Sequence, residues 1–133
     1  KKGKGRYGKK WVSIKGNLFV SIFFKIKNIY KLKNINKKNC KILKSLLSKY
    51  VNNKIEVKYP NDLLINKKKI CGILHETIFF KEKKYLIIGI GININNHPSI
   101  KKYKTGNLSQ FTNKKISKLI LFNNIKKTYE KKY

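Results

Sequence analysis

Arginine, tryptophan and aspartate occur once each in this chain, and all three fall in two short segments. Arg6 is the one arginine among 34 basic residues, Trp11 the one tryptophan and Asp62 the one aspartate. The rest of the composition runs to Lys, Asn and Ile, so a rarely used type marks a position where chemistry needs it. A guanidinium is a planar, permanently charged fork that fits phosphate or carboxylate oxygens in a way an ammonium does not. In Gly3-Lys4-Gly5-Arg6-Tyr7-Gly8-Lys9-Lys10-Trp11 three glycines stand among cations. Glycine lets the backbone take positive φ and come close to a ligand, so that its N–H groups cradle oxyanions. Arg6 would be the specific contact and Trp11 a flat apolar wall for a base or ring. The alternative is a flexible basic loop with a structural tryptophan. The spacing nearly fits a P-loop, but Lys10 stands where a Mg²⁺-binding Ser or Thr belongs and no strand precedes it, which excludes that motif.

The second segment runs from Lys58 to Glu76. Asn61 and Asp62 sit at a proline-fixed turn, and a hairpin brings Lys69 and Gly72 back beside it. Lys69 lies among Ile70, Ile73 and Leu74, where an ammonium is costly to bury without an anion. A bound carboxylate or phosphate would serve, and so would Asp62. The competing reading leaves Lys69 on the flank of an exposed hairpin loop with Lys67 and Lys68. A third segment, Gly89-Ile90-Gly91-Ile92-Asn93, lacks the third glycine and the helix start of a dinucleotide fingerprint. Glycines within a strand instead admit a ligand or another backbone. Asn93 could offer its amide to a base edge, or the segment could be a structural bulge.

These segments need a scaffold. Residues 1–10 read as a loop and Asn17–Phe24 as a strand of aromatic and β-branched residues. A Lys/Asn-rich connector over 25–38 precedes an amphipathic helix carrying Cys40, Leu43, Leu47 and Tyr50, with Ile42 and Leu46 widening the stripe. Ile55–Lys58, Leu63–Ile65, Lys69–Phe80 and Tyr85–Asn93 read as strands. Pro60-Asn61-Asp62, Asn66-Lys67-Lys68 and Lys81–Lys84 are the turns between them. After a loop containing His97-Pro98 and Thr105-Gly106, a last helix presents Ile116, Leu119, Ile120, Ile125 and Tyr129. The order predicts one α+β domain, a mixed, largely antiparallel sheet with helices on one face.

At 133 residues the chain is one domain with 41% hydrophobic residues, so its net charge of +29 does not mark disorder. The lysines are spread over loops, strand ends and helix faces, which argues for a solvated surface against a nucleic-acid footprint. Cys40 and Cys71 form no CxxC, and His75 and His97 have no metal-ligand spacing, so neither zinc nor a disulfide framework is indicated. The apolar run Leu18–Phe24 is too short to span a bilayer. The expectation is a cytoplasmic protein with no membrane partner and no specific nucleic acid.

Taken in order, the three segments resemble the biotin protein ligases (biotin–[acetyl-CoA-carboxylase] ligases). That family has a Gly-Arg-Gly-Arg-x-Gly-x-x-Trp loop, a Lys-Trp-Pro-Asn-Asp turn, a Lys-x-x-Gly-Ile-Leu-x-Glu strand and a Gly-x-Gly-Ile-Asn strand. The likeness runs from about Lys1 to Asn95, with Gly16-Asn17-Leu18 and Ser21 also in register. Lys4 stands for an arginine, Tyr59 for a tryptophan, and His75 occupies a strand position that is normally apolar. The resemblance implies the fold of the class II aminoacyl-tRNA synthetases and biotin ligases. It implies an ATP-dependent ligase that forms biotinyl-5′-AMP with Mg²⁺ and ATP and transfers biotin to a lysine of a biotin carboxyl carrier protein. Arg6, Lys69 and Asp62 would be catalytic, and Asp62 would also bind Mg²⁺. Gly3, Lys4, Gly5, Arg6, Lys69, Gly72 and Leu74 would hold biotin; Arg6, Trp11, Asn61 and Asn93 would hold ATP or the adenylate. Residues 1–133 would be part of a catalytic domain, without the family's Ser/Thr-Thr-Asn segment, C-terminal β-barrel or DNA-binding helices. A homodimer formed by sheet extension, through Tyr85–Asn93 or an edge strand, would also follow. A lipoate or octanoate ligase of the same fold and a small basic nucleic-acid-binding protein are the alternatives.

Overall fold

The computed structural model describes residues 14–27 and 33–132, together with the backbone of 3–4 and 10–11. Five strands form one sheet in the order β3-β7-β6-β5-β4: β3 (Leu18–Lys25), β4 (Glu56–Lys58), β5 (Asp62–Ile65), β6 (Lys68–Phe80) and β7 (Lys83–Ile92). Every neighbouring pair is antiparallel. One parallel bridge, between Lys69 and Thr105, lies outside the named strands. Gly3–Lys4 (β1) pairs separately with Lys10–Trp11 (β2), so the segment expected to be wholly loop contains a short ladder. The β5–β6 and β6–β7 turns are tighter than the sequence indicates. Only Asn66-Lys67 and Lys81-Glu82 remain outside the strands, all four with positive φ. Two-residue loops of that kind match the right-handed twist of the strands they join.

Side-chain alternation separates the two faces of the sheet. Cys71 and Ile73 pair with Ile92 and Ile90, and these in turn with Leu18 and Val20 of β3. This face carries the core, where Leu63, Ile65, Ile88 and Ile92 are fully buried beneath the helices. Burying one such side chain contributes about 1.5–3 kcal/mol. Helix α1 (Ile35–Leu47) begins inside the predicted connector, and its stripe Asn39, Cys40, Leu43, Leu46, Leu47 is buried. Tyr50 falls beyond its end, where its hydroxyl accepts a hydrogen bond from Asn124.

Helix α2 (Lys118–Lys132) inserts Leu121, Ile125 and Tyr129, one residue per turn. Leu119 and Ile120, expected on the buried face, are exposed, while Ile116 is buried ahead of the helix. Three consecutive helical positions span most of a turn, so a narrow contact stripe takes only one of them. Strand β7 lies between β3 and β6 and cannot extend the sheet through Tyr85–Asn93; among the described residues the outer strands are β3 and β4. Among the described residues no helix is long and apolar enough to cross a membrane.

Candidate functional site

The site is built on the face of the sheet that carries no helix. There Gly72 of β6 pairs with Asp62 of β5 on one side and with Gly91 of β7 on the other, and Gly91 pairs with Phe19. The next row on the same face is Leu74, Gly89 and Ser21. Three glycines on two adjacent strands leave a strip of bare backbone. Gly72 and Gly91 are buried and Gly89 is half-buried, with Leu74 beside them, and glycines in a strand admit the close approach of a ligand or another backbone.

The register shifts between Leu63 and Leu64: Leu63 pairs with Cys71, but Leu64 pairs with Lys69, leaving Ile70 as an extra residue. A bulge of this kind re-aims a side chain. Ile70 and Cys71 are consecutive and both fully buried. The inserted residue thus turns Lys69 out of the core phase to the side of Asp62. Its Nζ lies 3.1 Å from the Asp62 carboxylate, with the two side chains 15% and 25% exposed. Lys69 therefore does not share the exposure of a loop lysine, and its ammonium already has an anionic partner. The β6–β7 ladder ends at Cys71 and Ile92, and beyond it the loop after β7 bonds the Lys69 backbone: Lys69 N–H donates to the Lys104 carbonyl at 2.9 Å, and Gly106 N–H to the Lys69 carbonyl at 3.0 Å.

Two asparagines predicted to touch nucleotide stand behind this arrangement. Asn61 is buried and its amide donates to the Ile73 carbonyl at 2.7 Å, while Ile73 N–H donates to the Asn61 carbonyl. It pins the turn that presents Asp62. Asn93 is 1% exposed; its Nδ2 donates to the Gly106 carbonyl and its Oδ1 accepts from Asn17. Through these two bonds Asn93 holds the loop that follows β7. Asn17, noted in the sequence as a strand start and as part of the family likeness but not as a site residue, joins that network: its Oδ1 accepts from the N–H groups of Ile94 and Asn96. Polar side chains in an otherwise apolar strand junction were the signal for it. Tyr103, whose ring lies against Lys69, gave no signal.

Gly3, Lys4 and Trp11 are described only as backbone, with Gly3 opposite Trp11; Gly5 and Arg6 lie outside the described residues. A resident Mg²⁺ at Asp62 does not fit. The carboxylate is occupied by an ammonium, and among the described residues no three His, Cys, Asp or Glu cluster to hold a metal ion. Mg²⁺ tends to enter on substrate phosphates with few protein ligands.

His75 lies on the helix-side face, where its Nε2 is 2.6 Å from the Asn39 amide of α1. Burial pushes its pKa down to about 4. The folded state therefore keeps the ring neutral, while the unfolded chain takes up a proton near pH 6.5. Stability should fall as pH drops from about 6.5 toward 4, because the unfolded state binds more protons across that window. Urea unfolding midpoints should decline less steeply in His75→Gln than in the parent; parallel declines would remove His75 as the cause. The two thiols are free and buried, with Cys40 bonded to the Pro60 carbonyl; burial raises the Cys40 pKa to about 11 and that of Cys71 further. Neither is a poised nucleophile.

Comparison with known proteins places these features in context. Residues 1–93 match the model of the biotin/lipoate A/B protein ligase family. The bifunctional ligase/repressor BirA of Bacillus subtilis is 39% identical over 84 residues, covering 59% of this chain and 26% of that protein. Its counterpart in Escherichia coli K12 is 34% identical over 101 residues, covering 69% and 30%. A biotin protein ligase from Aquifex aeolicus, solved in complex with biotin and ATP, superimposes with a TM-score of 0.74 at 28% identity. That alignment covers 97% of this chain and 55% of the other. The matched segment thus spans about a quarter to a third of the curated relatives.

Proposed function

From a chain that belongs to the biotin/lipoate A/B protein ligase family, we propose an ATP-dependent biotin ligase. In the first step the biotin carboxylate attacks the α-phosphorus of Mg·ATP, and pyrophosphate leaves with the electrons of the broken P–O bond. In the second, a lysine amine on a biotin carboxyl carrier domain attacks the acyl carbon of biotinyl-5′-AMP. The amide forms, AMP departs and the amine's extra proton is released. Residues 1–133 are read as part of the catalytic domain.

The observation that carries this reading is the Lys69–Asp62 pair beside a floor of glycines. The first step brings a carboxylate and a polyphosphate together, and a fixed cation at their meeting point offsets the repulsion. The Lys69 ammonium would contact the carboxylate and α-phosphate oxygens. Asp62 would orient it, Asn61 would fix the turn beneath, and Gly72 and Leu74 would receive the apolar tail of the acid. Arg6, with Gly3, Lys4 and Gly5, would close over the same group, and Trp11 would flank the nucleotide. Asn93 would act through the loop it holds.

The test is exchange of labelled pyrophosphate into ATP by the complete polypeptide that carries these residues, with biotin, lipoate or octanoate as the acid. Biotin-dependent exchange, followed by labelling of a carrier domain, is expected. Because the family model covers biotin and lipoate enzymes alike, exchange with lipoate or octanoate alone would replace this reading with the other ligase. No exchange with any acid, together with nucleic-acid binding that survives physiological salt, would replace both.

A further inference from the structure

Asp62 is not the only group that fixes Lys69. A bond from the Lys69 N–H to the Lys104 carbonyl and one from the Gly106 N–H to the Lys69 carbonyl lay the loop after β7 along the end of β6, with Thr105 in parallel register with Lys69. Asn93 holds the same loop from behind through the Gly106 carbonyl. The Tyr103 ring is thereby placed with its centroid 5.2 Å from the Lys69 Nζ, while the tyrosine itself remains 40% exposed. An exposed ring contributes little to a core, so packing does not explain its position. An ammonium within about 6 Å of an aromatic face is attracted by the ring quadrupole. Lysine has four side-chain torsions to immobilise, and a second contact reduces the freedom that remains after pairing with one carboxylate.

We propose that Tyr103 is a positioning residue of the adenylation site: its ring and the Asp62 carboxylate together hold the Lys69 ammonium beside the glycine floor, where carboxylate and phosphate oxygens meet. The proposal rests on the ligase reading of Lys69 given above. It makes the loop after β7 part of the anion site, through one side chain that the sequence motifs do not include.

A cation–π contact depends on the ring and not on apolar bulk, and tryptophan is the strongest partner. In the complete polypeptide, Tyr103→Phe and Tyr103→Trp should keep biotin-dependent exchange within about threefold of the parent. Tyr103→Leu should lower kcat/KM for biotin by roughly 5- to 30-fold, with an unchanged urea midpoint. A leucine variant as active as the parent would overturn the proposal, since a merely space-filling ring tolerates that exchange. A second readout does not depend on catalysis. After reductive methylation with ¹³C-formaldehyde, the Lys69 methyl resonance, identified by its loss in Lys69→Arg, should show a ring-current shift that Tyr103→Leu removes. No ring-current shift in the parent would overturn the geometry even if the ligase reading stands. A shift without biotin-dependent exchange would instead overturn the ligase reading, and this proposal with it.

Discussion

Lys69→Met is expected to lower biotin-dependent pyrophosphate exchange by about 100- to 1000-fold, the usual cost of losing one fixed donor to a developing oxyanion. Methionine keeps the length and apolar stem of lysine, so the change removes charge and little else. It also leaves Asp62 three-quarters buried without its partner. Exposed ion pairs contribute about 0–1 kcal/mol, whereas breaking a fully buried one costs about 3–5 kcal/mol. This pair lies between those limits, and a loss of roughly 1–2 kcal/mol of stability should accompany the loss of rate. The double variant Lys69→Met, Asp62→Asn separates the two effects. It should recover most of the stability, read from urea unfolding, and none of the activity. If rate returned with stability, Lys69 would be a scaffold lysine and the proposed chemistry would fail. Arg6→Ala should show a comparable loss of rate with the fold intact. Unchanged rates in both the Lys69 and Arg6 variants would remove both residues from the mechanism.

The parts of this site that sequence reveals are those in which residue type and spacing suffice. Proline at 60 fixes a turn, a short polar pair closes a hairpin, and the alternation of β6 and β7 assigns faces. The neighbourhood of Asp62, Lys69 and Gly72 therefore follows from the chain alone. The phase of Lys69 does not. Strict alternation from the buried Cys71 would direct Lys69 into the core, and only the extra residue at Ile70 turns it toward Asp62. A bulge carries no composition signal when its residue is an ordinary isoleucine. The asparagines fail for a different reason. In a chain so rich in Asn, neither Asn61 nor Asn93 announces whether its amide faces a ligand or a carbonyl, and the hydrogen-bond partners are distant in sequence. Helix α2 misleads because its apolar residues outnumber its contacts, leaving Leu119 and Ile120 in solvent.

Asn17→Ala is expected to cost about 2–4 kcal/mol of stability, a large fraction for a domain of this size. The side chain makes bonds in both directions: Oδ1 accepts from Ile94 N–H at 2.9 Å and from Asn96 N–H at 3.3 Å, while Nδ2 donates to Asn93 Oδ1 and to the Asn96 carbonyl. Alanine leaves two backbone N–H groups and the Asn93 oxygen to find new partners, and each buried group left without one costs about 1–3 kcal/mol. Asn17→Asp preserves the two accepted bonds but sets a carboxylate against two oxygens, so it should destabilise as well, and more at neutral pH than at pH 4. The effect should also reach the site. Asn93 loses the partner that orients it, Asn93 holds Gly106, and Gly106 is bonded to the Lys69 backbone. Residual activity in Asn17→Ala should therefore fall beyond what the folded fraction explains. A stability cost below about 0.5 kcal/mol would mean that water replaces the side chain without penalty. The chain of amides from β3 to the Lys69 bulge would then not be what keeps the ammonium beside Asp62.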